Sequence, residues 1–324
     1  MAKRATREAF GETLVELANE GVNVCAVDAD LAGSTTTNKL QKAYPDRFVD
    51  VGIAEQDMIG VASGLALTGL IPFTASFAVF GVGRCYDQIR NTVCDSNLNV
   101  KVCPTHAGIT VGEDGATHEM LEDIGMMRAL PNMRVLVPAD YRAAKAAIRI
   151  AATTPGPVYV RMGRHKVPEV YDEYFVGGLP YAGVLREGTD VTILACGVEV
   201  AQSLAAADIL AKSGISAEVI DVFSVKPLAE DVILASAEKT GRVVTVEEHM
   251  VSTGMGSAVA ALLAEKRPTP MRFVGMGSFG TSAPGDVLLE HFGLDGAGIA
   301  RQVEEVVNVP MYNTNIPCAP AGVF

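Results

Sequence analysis

The sequence predicts an α/β protein made of two open, mainly parallel sheets covered by helices, and three observations carry that expectation. Short β-branched or apolar runs alternate with helix-like stretches along the chain, the pattern that builds parallel sheets under a helical cover. At 324 residues the chain is long enough for two cores, given about 150 residues per domain. Hydropathy then falls over residues 164–189, where two Pro, several acids and the Gly177-Gly178 pair interrupt the alternation. The expected organisation is a first domain over 1–170, a linker over 171–189, a second domain over 190–308 and a tail over 309–324.

In the first half the apolar runs at 22–27, 48–51, 71–75, 100–103, 134–137 and 158–160 read as strands. Residues 7–18, 56–67, 84–93 and 142–152 carry helical spacing between them. The second series has strands expected at 191–195, 217–222, 243–246 and 271–274, with helices at 199–211, 230–237 and 255–264. That is too few units for a barrel and fits a small open sheet. The last residues, from Asn308, have three Pro and no periodicity and are expected to lie outside the fold.

Composition narrows the function classes. With 49% hydrophobic and 20% charged residues and no visible repeat, the chain is neither disordered nor fibrous. Its 26 basic against 38 acidic residues give a net charge of −12, which opposes a nucleic-acid partner. Small phosphorylated ligands stay within reach, because a few local Arg and His act over one screening length. No apolar run approaches the roughly 20 residues that span a bilayer. The polar start Met1-Ala2-Lys3-Arg4 is unlike a signal core, so a cytoplasmic protein with no membrane partner is expected. The six cysteines form no CxxC and sit in apolar surroundings, as free buried thiols would.

The densest polar constellation runs from Thr105 to His118, directly after a predicted strand. Ligands of open α/β sheets gather beyond the carboxyl ends of strands. Here His106, Asp114 and His118, set among glycines, could grip a polyhydroxylated substrate and relay protons. A surface turn with incidental histidines is the plainer alternative, and zinc ligation is the weaker one, since the spacing matches no helical or finger pattern. Glu55, in Gly52-Ile53-Ala54-Glu55-Gln56, falls at the start of a helix, where an acid is favoured by unpaired amides whether or not it faces a cleft. Phe77 and Phe80 are two of few aromatics and could stack a flat heterocycle or fill a core. The segment from Asp28 to Thr35 could cap a helix or bind a ligand. Dinucleotide, P-loop, nucleophile-elbow and HExxH motifs are missing, as is a GDG-plus-Asn pattern for a metal-bound diphosphate.

In this order, the pieces resemble the carboxyl-terminal half of transketolase over about residues 5–306, most closely that of the split transketolases. VGEDGATH here stands against the family's VGEDGPTH, and GIAEQ adds to it. The resemblance implies a pyrimidine-binding domain for thiamine diphosphate followed by a transketolase carboxyl-terminal domain. It implies that Glu55 bonds a pyrimidine ring nitrogen, with Phe77 and Phe80 in the aromatic pocket and Asp30 near the cofactor; the family's further pocket tyrosine falls at Gly83. His106 and His118 correspond to histidines at the reacting groups, and Asp114 to an aspartate on a substrate hydroxyl. Arg7, Ser34 and Arg164 match the sugar-phosphate grip, with Arg161 a competing alignment for Arg164. The motif Glu247-Glu248-His249 with Gly254-Met255-Gly256 resembles a strand-end motif of structural rather than chemical role.

Without a diphosphate motif, the resemblance implies an amino-terminal partner subunit that holds most of the magnesium (or calcium) and diphosphate, in an assembly of two copies of each chain. The implied reaction is two-carbon ketol transfer between sugar phosphates, as in the pentose phosphate pathway. The alternatives are a 2-oxo-acid dehydrogenase beta-type subunit, a deoxyxylulose-phosphate synthase-like enzyme and a non-catalytic scaffold. The two-histidine loop and Glu113 favour transketolase over the first two, and intact Glu55, His106, Asp114 and His118 argue against the third.

Overall fold

A computed structural model of the chain describes residues 3–308, so the expected tail at 309–324 lies outside the described residues. The strands of the first half are β1 (Lys3–Ala5), β2 (Val24–Asp28), β3 (Phe48–Asp50), β4 (Ile71–Ala75), β5 (Lys101–Val102), β6 (Arg134–Leu136), β7 (Val158–Val160) and β8 (Lys166–Pro168). Those of the second half are β9 (Gly183–Arg186), β10 (Val191–Ala195), β11 (Ala217–Asp221), β12 (Ser224–Lys226), β13 (Val243–Met250) and β14 (Met271–Met276).

The first sheet runs β12-β6-β7-β5-β4-β2-β3, parallel throughout except for the edge strand β12. Covering helices bury both faces of a parallel sheet, so a central strand such as β2 is a near-continuous apolar run whose five residues are all buried. Phe10 and Leu14 of the helix Glu8–Asn19 pack with Phe73 and with Ala144 and Ile148 of the helix Tyr141–Thr153 on one face. Met58 and Ile59 of the helix Glu55–Leu67 pack with Val82 and Ile89 on the other. From β2 the chain moves outward to β3 on one side, then returns to β4 on the other. This reversal opens a crevice at the carboxyl ends of β2 and β4, where Ala29 N–H donates to Ala75 C=O at 3.3 Å.

The second sheet runs β14-β13-β10-β11-β9, parallel but for the edge strand β9. A short antiparallel pair, β1 with β8, closes the first half at its start and end. Four strands fall outside the expected ones, β1, β8, β9 and β12. β9 lies within the stretch expected as a linker, and β12, within the expected second domain, crosses back to extend the first sheet. Phe223 explains the return: it is fully buried in the first core, and its C=O accepts from Val137 N–H at 2.8 Å.

The expected helix at 84–93 lies inside a longer helical run, in which Val79–Arg84 and Ile89–Asp95 adopt wide π-helical turns. Five helices outside the expected ones, Ala32–Thr35, Asn38–Ala43, Asp123–Ala129, Gly285–His291 and Gly296–Asn308, complete the cover. Among the described residues no helix is long and apolar enough to cross a membrane. Cys25, Cys85, Cys94, Cys103 and Cys196 are buried free thiols, and Cys318 lies outside the described residues.

Candidate active site

Four strand ends deliver the sequence-predicted residues to one crevice. The loop after β2 brings Asp30 and Ser34, that after β3 brings Glu55, that after β4 brings Phe77 and Phe80, and that after β5 brings the His106–His118 loop. Arg7 enters from the amino end of the helix Glu8–Asn19, and Arg164 follows β7.

Glu55 is the first residue of the helix Glu55–Leu67, and its side chain is 3% exposed. Its Oε2 accepts from Arg84 Nη1 at 2.7 Å. The Arg84 guanidinium also stands over the Phe80 ring, 4.8 Å from its centroid. Phe80 and Phe77 are stacked with ring planes 15° apart. At Gly83, where the family's pocket tyrosine is expected, an added Cβ would meet nothing within 4 Å. Arg84 is the residue of this wall that the sequence reading missed; its place beside Gly83 was the only signal.

His106 has a left-handed backbone, φ 61°, and is 3% exposed. Its ring stacks on Phe77 with centroids 3.8 Å apart. Arg7 Nη1 lies 3.0 Å from His106 Nε2. A guanidinium only donates, so Nε2 must accept and the ring proton sits on Nδ1, which donates to Thr105 Oγ1 at 2.7 Å. Burial, then the nearby charges of Arg7, Arg164 and His118, pushes the His106 imidazole down to about 3 and keeps it neutral. His118, half-buried, meets the edge of Phe80 at 5.4 Å and lies beside Thr117 Oγ1 at 2.9 Å.

Arg7 also donates to the Ser34 C=O at 2.9 Å, and burial followed by Arg164 lowers its pKa. Two neighbouring guanidinium groups in a chain of net charge −12 mark an anion-attracting spot. Arg164 donates to Val111 C=O at 2.9 Å and to Asp114 Oδ2 at 3.3 Å, which ties it to the loop. Arg161, the competing alignment, is buried elsewhere: its Nε donates to Asp123 Oδ2 at 2.7 Å and its Nη1 to Glu248 Oε1 at 3.4 Å. Asp30 is exposed, with its N–H donating to Asp50 Oδ1 at 3.0 Å. Asp28 is the acid that shapes this turn, accepting from Leu31 N and from the hydroxyls of Thr35 and Thr37.

The histidine loop is closed at its base, where Ala107 bridges Met120 and Gly108 N–H donates to Met120 C=O at 2.9 Å. Its outer part is braced by the second half of the chain. Ser282 Oγ donates to Glu113 C=O at 2.6 Å, and Glu248, at the end of β13, accepts from both the N–H and the hydroxyl of Thr110. The strand-end motif is thus a brace: Glu247 accepts from Met255 N and Gly256 N at the start of the helix Met255–Lys266, and His249 Nε2 accepts from Gly125 N at 3.3 Å.

Two family profiles match the chain, "Transketolase, pyrimidine binding domain" over residues 2–169 and "Transketolase, C-terminal domain" over residues 180–299. A "Putative transketolase C-terminal section" from Methanocaldococcus jannaschii is 45% identical over 306 residues, 93% of this chain and 96% of that protein. A 6-deoxy-6-sulfo-D-fructose transketolase subunit from a Clostridium species is 43% identical over 93% of this chain and 94% of that protein. Among solved structures, a split-gene transketolase described as an inactive beta4 tetramer superposes with a TM-score of 0.87 at 45% identity, over 94% of this chain and 99% of that one.

Proposed function

The chain belongs to the transketolase family, as the carboxyl-terminal subunit of a split enzyme; on that premise we propose that it transfers a two-carbon ketol unit from a ketose phosphate to an aldose phosphate. The observation that carries this reading is the convergence, in one crevice, of a buried carboxylate beside two aromatic rings with two guanidinium groups and two imidazoles. Thiamine diphosphate fits the first part of that set. Phe80 already carries a planar nitrogen group on its face, and that same group bonds Glu55; an aminopyrimidine ring would stack on the same face, with its ring nitrogen accepting from the Glu55 carboxyl. When bound, the cofactor supplies the nucleophilic carbon that takes up and releases the two-carbon unit.

The chain's own residues then divide the work. Glu55 would donate a proton to the pyrimidine ring nitrogen, Phe77 and Phe80 fix the ring plane, and Asp30 lies at the edge of the cofactor site. His106, held neutral with Nε2 as acceptor, orients a substrate hydroxyl rather than acting as an acid. His118 relays the proton, and Asp114 bonds a hydroxyl of the sugar. Arg7 and Arg164, with Ser34 beside them, grip the terminal phosphate, a task suited to guanidinium forks. Arg161, committed to Asp123 and Glu248, is left out of the grip.

The diphosphate and its metal ion are assigned to an amino-terminal partner chain, with two copies of each chain in the assembly. Support comes from the relative named as a carboxyl-terminal section and from the inactive tetramer of one chain type. The domains are assigned as first expected, 1–170 and 190–308 joined through 171–189. The test is to mix this chain with its partner chain, thiamine diphosphate, Mg²⁺, xylulose 5-phosphate and ribose 5-phosphate. Sedoheptulose 7-phosphate should form, require both chains, and vanish with Glu55→Ala. Consumption of pyruvate in place of the ketose phosphate would overturn the reading. Including 6-deoxy-6-sulfo-D-fructose as donor distinguishes a sulfonate from a phosphate at the same guanidinium pair.

A further inference from the structure

We propose that Arg84 is a positioning residue of the pyrimidine pocket: it holds the Glu55 carboxylate and covers the Phe80 face until the cofactor ring displaces it, and so sets the affinity for the cofactor. The inference rests on the thiamine diphosphate reading above. Glu55 is 3% exposed and its Oε2 already accepts from Arg84 Nη1 at 2.7 Å. The same guanidinium lies 4.8 Å from the Phe80 centroid. A guanidinium is planar, stacks on aromatic faces and donates to carboxylates in its own plane. An aminopyrimidine is also planar, and its ring nitrogen would bond the same carboxyl oxygen through a carboxyl O–H, so ring and guanidinium compete for one face and one oxygen.

Arg84 is also placed to leave. Its side chain is 47% exposed, so moving it into water costs little desolvation. The neighbouring Gly83 has open space around it, which gives the side chain room to swing. Its backbone stays in place because Gln56 Nε2 donates to the Arg84 C=O at 3.2 Å. The π-helical turn Val79–Arg84 puts Phe80 and Arg84 one wide turn apart, on the same side of the helix. Only the fraction of molecules with Arg84 swung out is competent to bind, and the apparent dissociation constant rises as that fraction falls.

The experiment titrates thiamine diphosphate with Mg²⁺ into the assembly of this chain and its partner chain, followed by calorimetry. Arg84→Met should bind about three- to tenfold more tightly than the unaltered assembly. In a Glu55→Gln background the same replacement should gain less, because the pair it removes is already weakened. Arg84→Lys, which keeps the charge but not the planar fork, should fall between. If Arg84→Met fails to fold by circular dichroism, Arg84→Gln carries the test, as it too lacks the charge. Unchanged or weaker binding by a folded Arg84→Met or Arg84→Gln overturns the proposal, as does a cofactor-loaded structure that keeps the Arg84–Glu55 contact. Absence of binding by every version, the unaltered one included, overturns the cofactor reading itself and is distinguishable from either result.

Discussion

Glu119, like Glu199, is a residue where the fold leaves a carboxyl without help. Both its oxygens are buried and lack a hydrogen-bond partner, and burial, then the neighbouring Glu248, pushes the group up to about 7. In the unfolded chain a glutamate titrates near 4.3. The folded state therefore holds a proton between those values that the unfolded state has released, and this stabilisation is lost as pH rises through about 7. Urea midpoints should fall between pH 5 and 8 by the equivalent of roughly 1–3 kcal/mol more in the unaltered chain than in Glu119→Gln. An equal fall in both would refute the assignment. Arg7 makes a second prediction at this scale. Charge-assisted hydrogen bonds are worth about 1.5–3 kcal/mol, so Arg7→Ala or Arg164→Ala should raise KM for the sugar phosphate roughly ten- to a hundredfold, with a smaller change in kcat. A KM that does not move removes these residues from the phosphate grip.

The histidine loop is the element on which the site depends. Gly108 has φ 85°, and a Cβ there would overlap the Glu248 carboxylate that holds Thr110. Gly108→Ala combines left-handed strain with that overlap and should cost about 2 kcal/mol or more of stability. It should also lower kcat, because His118 and Asp114 ride on the displaced loop. Denaturation and turnover at saturating substrate measure the two effects, and a stable, fully active variant would show that the brace from β13 does not position the loop. The left-handed turns at His106, Gly108, Gly112 and Gly115 were partly legible as a glycine-rich loop after a strand. The partner of Gly108 was not legible, because Glu248 lies 138 residues beyond Thr110 and only the packing of two sheets brings them together.

At the scale of the whole molecule the two halves are interlocked rather than strung in series. β12 completes the edge of the first sheet, and Arg161 balances Asp123 of the first half against Glu248 of the second, all three buried. A fragment ending at residue 189 would expose the edge of β6 and leave Arg161 without Glu248, and removing one partner of a buried ion pair costs about 3–5 kcal/mol. Such a fragment should aggregate or unfold at a clearly lower urea concentration than the full chain. A fragment with the midpoint of the full chain would show that the halves fold independently.

Most elements were readable from the sequence because their cause is local. Buried parallel strands such as β2, β4 and β10 are short apolar runs, and the helices between them repeat every three or four residues. The placement of the candidate residues at strand ends was readable for a related reason, since the polar motifs directly follow the apolar runs. β9, β12 and the pairing of Arg84 with Glu55 were not readable. Edge strands of three or four residues carry too little period to be seen, and a charge pair formed 29 residues apart is fixed by helix packing alone. The sequence by itself therefore determined the class of fold, the family and which strand ends carry the polar motifs, because alternating hydrophobicity and short motifs are properties of neighbours along the chain. Only the tertiary structure decided that Arg161 is buried against Asp123 and Glu248 while Arg164 lies at the histidine loop, that Arg84 pairs with Glu55 over Phe80, and what braces that loop, because burial and charge pairing are properties of neighbours in space.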